Sequence, residues 1–170
     1  MLKQGSTKTS SLGFMGLIPF SVVALLSLVT ILPYPFPMIE YYLPYLTLMG
    51  VYFWSVEQPD LLPLVAVFSI GVVEDALTGG PLGLSALLLI ILRQFAAAQR
   101  RFLIEANRQF SWIIFMVLCF LFAAVFWLIS SIYLGQWLSF GAVMGRAAMT
   151  AFLYPVFDGL FRYLNTALQD

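Results

Sequence analysis

The sequence predicts an all-α polytopic membrane protein, a bundle of six transmembrane helices. Three observations point there. The 170 residues are 62% hydrophobic and only 9% charged, whereas soluble domains average about 45–50% apolar and about 25% charged. Six apolar runs follow one another with only short breaks between them, and each has at least the roughly 17 residues that can cross a bilayer. The basic residues outside those runs all fall on one side of such a bundle. No stretch remains for a soluble domain, so residues 1–170 are expected to form a single integral membrane domain.

The first run is residues 12–32, preceded by a polar segment with Lys3 and Lys8. A secretory signal has an apolar region of about 7–15 residues and a small-residue cleavage site. This run is longer and leads into Pro33-Tyr34-Pro35-Phe36-Pro37, so it is expected to be a span followed by an external turn. The second span is 39–56, with Tyr41, Tyr42, Tyr45, Tyr52 and Trp54 towards its ends, the pattern of an interfacial aromatic belt. Glu40 is expected at the interface. Pro44 lacks an N–H and frees the carbonyl of Glu40, which predicts a kink or a late helix start. A polar break at residues 57–60 follows.

The third and fourth spans are 61–77 and 82–98, each at the short end of what can cross. Residues 99–109 form a polar loop with Arg100, Arg101, Glu105 and Arg108, and Arg93 stands just before it. The fifth span, 110–133, carries no charge; the sixth, 137–164, contains Pro155, expected to kink it near Ala151. Asp158 and Arg162, four apart, are expected to pair on one helix face or to stand solvated at the helix end. With six spans both termini share one side, and Lys3, Lys8, Arg93, Arg100, Arg101, Arg108 and Arg162 all fall there. The positive-inside rule makes that side cytoplasmic.

The chain is organised around residues 68–83, FSIGVVEDALTGGPLG. An apolar helix acquires Glu74 and Asp75 and stops at Gly79-Gly80-Pro81, and a new run opens at Leu82 and Gly83. Helical spacing puts Phe68, Gly71 and Asp75 on one face, where Gly71 can admit a neighbouring backbone close to the charge. Intramembrane carboxylates usually face a bundle interior; the competing reading leaves both acids in the headgroup region. Arg146 lies within the sixth span. Its depth, about 13 Å from Trp137 at 1.5 Å per residue, predicts a pair with Asp75 or Glu74. The alternative is a side chain that snorkels to the headgroups. Gly141 and Gly145 form a G-x-x-x-G step beside it, a candidate face for close helix packing.

Composition excludes several chemistries. There is no His, the commonest general base and metal ligand. Cys119 is the only cysteine and sits in an apolar run, where it reads as a small core residue. No nucleophile–base set, metal cluster, phosphate loop or nucleic-acid signature is present, so neither an enzyme nor a cofactor is expected. Adjacent carboxylates point about 100° apart on a helix and make a poor acid–base pair. Two classes remain: a membrane adaptor that binds partner helices, and a subunit that holds a small molecule at its outward side.

The stretch Phe68-x-x-Gly71-x-x-x-Asp75-x-x-x-Gly79-Gly80-Pro81-Leu82-Gly83 resembles the core signature of the rod shape-determining protein MreD family. Chain length, the polar break after the span holding Trp54, and Pro155 in the last span are also similar to it. One departure is Glu74, where that family often has an amide. The resemblance implies a non-enzymatic protein of the bacterial inner membrane within the cell-elongation machinery. It implies MreC as a direct partner, with RodA, its transpeptidase partner and MreB at the level of the complex, and no nucleic acid. It further implies a fold similar to the S-components of energy-coupling-factor vitamin transporters, which keeps a substrate-binding S-component as the alternative function. On this reading Gly71, Asp75, Gly79, Pro81 and Gly83 shape the outward turn and its partner-facing side.

Overall fold

The computed structural model describes residues 6–31, 43–105 and 108–167. The Pro33–Pro37 turn, Glu40, Tyr41 and Tyr42 lie outside the described residues. Among the described residues every regular element is helical. The order is α1 (Ser6–Ile31), α2 (Leu46–Glu57), a 3₁₀ turn (Pro59–Leu61), α3 (Leu64–Thr78), α4 (Leu84–Ala98), α5 (Arg100–Glu105), α6 (Arg108–Leu134) and α7 (Phe140–Ala167).

Helix length separates these elements into two kinds. Two segments, Gln109–Leu134 and Phe140–Tyr163, are long and apolar enough to cross a membrane. Residues Pro19–Ile31 of α1 and the whole of α4 are shorter apolar helices. The 12-residue α2 and the 15-residue α3 and α4 reach about 18 and 22 Å at 1.5 Å per residue, against a hydrocarbon core of about 30 Å. α2 begins at Leu46, the late start that Pro44 predicts. The start is secured from another helix, because the Tyr45 backbone N–H donates to Thr150 Oγ1 at 2.9 Å.

α2 is the centre of the molecule. Every residue from Leu46 to Val56 is buried, and α1, α4, α5 and α7 pack around it. This corrects the aromatic-belt reading of Tyr45, Tyr52 and Trp54, since all three are in the core. Tyr52 meets Phe115 and Tyr154 with ring centroids 5.0 and 5.7 Å away, and its hydroxyl donates to the Ser111 carbonyl at 3.2 Å. Aromatic residues near a run's ends mark an interface only when the helix faces lipid, and neighbours cover α2 all round.

α6 and α7 pack along each other. Pro155 cannot donate to the carbonyl of Ala151, which would otherwise be left without a partner in an apolar setting. The indole Nε1–H of Trp112 on α6 donates to that carbonyl at 2.8 Å. Cys119 is buried against α7, with Sγ 3.6 Å from the Ala147 carbonyl, in line with a core role.

One end of the bundle is held by guanidinium groups. Arg100 donates to the carbonyls of Val56 and Glu57 at 2.9 and 2.7 Å, in the last turn of α2. Arg93 donates to those of Leu62 and Pro59 at 2.9 and 2.8 Å. Helix C-termini expose unpaired carbonyls and partial negative charge, so cations belong there. Arg162 pairs with Asp158 at 3.1 Å, as the i,i+4 spacing predicts, and also with Glu57 at 3.1 Å. The stretch read as a polar loop carries α5, whose Leu103 is buried under α2.

Candidate functional site

The acidic turn is built by one close contact and one carboxylate. A Cβ placed on Gly71 would lie 2.4 Å from Ala86 Cα and 2.7 Å from Ala86 N. Only glycine lets α3 and α4 approach so closely, as the sequence anticipates for a small residue at a helix crossing. One turn further on, Asp75 is buried. Its Oδ2 accepts the Gly83 N–H at 2.8 Å, and both carboxylate oxygens lie 3.1 Å from the Ser85 nitrogen.

These are the N–H groups that the first turn of α4 cannot satisfy internally. A helix is usually capped by a side chain at its own N-cap position. Here that position is Gly83, which has none and whose φ of 89° favours glycine. The cap comes instead from Asp75, on the preceding helix. Hydrogen bonds to an ionised group contribute about 1.5–3 kcal/mol each, and a carboxylate at a helix N-terminus also complements its dipole. Gly79 ends α3 with φ 70°. Pro81 is buried, whereas Leu82 points out.

Phe68 does not share the Asp75 face: it is 49% exposed, while Val67, Ile70, Gly71 and Asp75 are buried. Seven residues drift by only about 20°, so Phe68 stands at the border of the buried face, whereas Asp75 is covered by the turn and the start of α4 that it caps. Nor, among the described residues, does Arg146 form an ion pair with either acid, although its charge acts on Glu74. Its Nε donates to the Leu43 carbonyl at 2.9 Å, and its guanidinium carbon stands 4.6 Å from the centroid of the Tyr45 ring. Asp75 has backbone N–H groups within eight to ten residues, so it needs no guanidinium.

Glu74 and Arg146 nevertheless line one cavity of about 520 Å³. Residues from the ends of α1, α3 and α6 and from the 79–81 turn close it, at the opposite end of the bundle from Arg93, Arg100 and Arg162. Its polar lining includes Thr47, Thr78, Ser85 and Ser130. Sequence reasoning passed over Thr47 and Ser130, because a hydroxyl within an apolar helix often bonds its own backbone. It also took Arg93 and Arg100 for topology signals and gave them no contact within the fold. A basic residue beside a helix end carries both readings, and only the fold shows which carbonyls lie in reach.

Gly141 and Gly145 differ from Gly71. No atom lies within 4 Å of where a Cβ on either would stand. Their face of α7 is therefore open, and the same side carries exposed Met149, Phe152 and Val156. Among the described residues no group of three or more His, Cys, Asp or Glu side chains stands together as a metal site. The arrangement is one of internal capping, a polar cavity and an open helix face.

Residues 10–164 match the family model described as rod shape-determining protein MreD. No curated protein matches, and no solved structure matches.

Proposed function

The chain belongs to the rod shape-determining protein MreD family, and on that premise we propose that it is a non-enzymatic scaffold of the bacterial cell-elongation complex. Membership ties it to rod-shape determination and to the membrane, and two helices suited to crossing agree with that. In the proposed arrangement six helices cross the inner membrane in an S-component-like bundle. The end holding Arg93, Arg100 and Arg162 faces the cytoplasm and the 79–83 turn faces outward. The scaffold binds MreC directly and links MreB filaments to RodA and its transpeptidase partner.

One observation carries the choice of partner face. Of the two small-residue faces, the one at Gly71 is filled by Ala86 of the same chain, while the one at Gly141 and Gly145 is vacant. Helix association in lipid depends on close packing of small residues. The α7 face is therefore the one proposed for the transmembrane helix of MreC, and Gly71 is withdrawn from that role.

The test is co-purification of the tagged protein from its own membranes, with Gly141→Leu and Gly145→Leu beside the unaltered chain. Recovery of MreC with the unaltered chain and its loss from both variants, at equal membrane levels, is the expected result. Equal recovery from all three would remove the α7 face. Recovery of a transporter ATPase with its coupling subunit in place of MreC would overturn the scaffold reading in favour of a vitamin-binding S-component.

A further inference from the structure

Among the described residues four buried polar side-chain atoms lack a hydrogen-bond partner within 3.5 Å: Thr47 Oγ1, Trp54 Nε1, Glu74 Oε2 and Ser130 Oγ, although Thr47 stands beside the Glu74 carboxyl. Thr47, Glu74 and Ser130 all line the same cavity. Thr47 is 3% and Ser130 2% exposed, so bulk water does not serve their hydroxyls. Buried polar groups in an apolar setting need partners, and these residues give the cavity a polar wall.

The charges in that space are arranged for an occupant. Arg146 spends its Nε on Leu43, and among the described residues its terminal nitrogens donate to no protein group. Its guanidinium is held in place over Tyr45. Glu74 lines the same space and, among the described residues, forms no ion pair. A carboxylate and a guanidinium that line one cavity without pairing suit a molecule that brings both complementary charges. The volume of about 520 Å³ falls within the usual range for small-molecule sites, and a free amino acid would leave much of it empty. Leu77 and Leu134 line the cavity and are also exposed on the outer surface. They give it an apolar shoulder along which hydrocarbon chains can leave.

We propose that this cavity binds a phosphoethanolamine-type zwitterion. Its ammonium meets the Glu74 carboxylate and its phosphate meets the terminal N–H groups of Arg146. The headgroup of phosphatidylethanolamine and a soluble glycerophosphoethanolamine carry the same chemistry. The site is independent of the MreC face on α7, so loss of one leaves the other standing.

The experiment is native mass spectrometry of the delipidated full chain in mild detergent. The probes are phosphatidylethanolamine, phosphatidylglycerol and soluble glycerophosphoethanolamine. One phosphatidylethanolamine per chain is expected, favoured over phosphatidylglycerol, and weakened about tenfold or more by Glu74→Gln, the scale of losing one charged hydrogen bond. Displacement by glycerophosphoethanolamine shows that the headgroup suffices. Retention despite it shows that the lipid is the ligand, and binding of the soluble compound alone points to an aqueous source. Competition on the unaltered chain needs no variant, so a Glu74→Gln protein that fails to fold does not end the test. Equal retention of the two lipids, no retention of any probe, or a folded Glu74→Gln protein that binds as before would each overturn the site.

Discussion

The α3–α4 and α6–α7 hairpins join apolar helices by opposite means. In α3–α4 the backbones nearly touch, at Gly71 against Ala86, and one carboxylate caps the next helix. In α6–α7 large side chains keep the contact. Trp112 serves the carbonyl that Pro155 leaves unpaired, and Trp127 Nε1 donates to Leu138 O at 2.9 Å across the turn. The first hairpin consumes its glycine internally. The second leaves Gly141 and Gly145 facing outward. Glycine in a membrane helix therefore marks a close approach only where a neighbour fills the notch, and the same residue type builds the fold in one hairpin and stays vacant in the other.

The largest effect should come from filling the used notch. Gly71→Leu drives a side chain into the Ala86 backbone, and overpacking of this kind costs about 1–3 kcal/mol or more. A sharp fall in melting temperature of the purified protein in detergent is expected. An unchanged melt would mean that the close approach is not required. Next comes Trp112→Phe, which removes the partner of the Ala151 carbonyl and should cost about 1–3 kcal/mol for a buried group left unpaired. Adding Pro155→Ala restores an N–H for that carbonyl, so the double variant should recover stability relative to Trp112→Phe alone. Purely additive losses would separate the two residues. Smallest should be Gly141→Leu, which meets nothing within 4 Å. The isolated protein should melt as before, and a marked loss of stability would show that the face is already occupied within the chain.

Much of this was legible in the sequence, and the failures have physical causes. The apolar runs from 61 onward became helices within a few residues of their expected ends, because Gly79-Gly80-Pro81 and Gly135 punctuate the chain unmistakably. The close approach at Gly71, the late start of α2 after Pro44, the core position of Cys119 and the Asp158–Arg162 pair all followed from local rules. Of the two expected partners of Arg146, Asp75 is excluded because a buried acid is satisfied by the nearest donors, here backbone N–H groups of the next helix, while Glu74 shares a cavity with Arg146 without an ion pair. The aromatic belt failed because α2 is enclosed, and enclosure is a property of the neighbours. Thr47 and Ser130 could be found only once α2, α3 and α6 were placed around one space.

Asp75 builds the turn as a cap from within the chain. The direct measurement is the melting temperature of the purified protein, with no partner present, for Asp75→Ala and Asp75→Asn. A clear fall is expected for Asp75→Ala, on the order of 1–3 kcal/mol of stability, and partial recovery for Asp75→Asn, which keeps one acceptor oxygen. An unchanged melt for both variants, with loss of MreC on co-purification, would contradict it and return Asp75 to the partner-facing role.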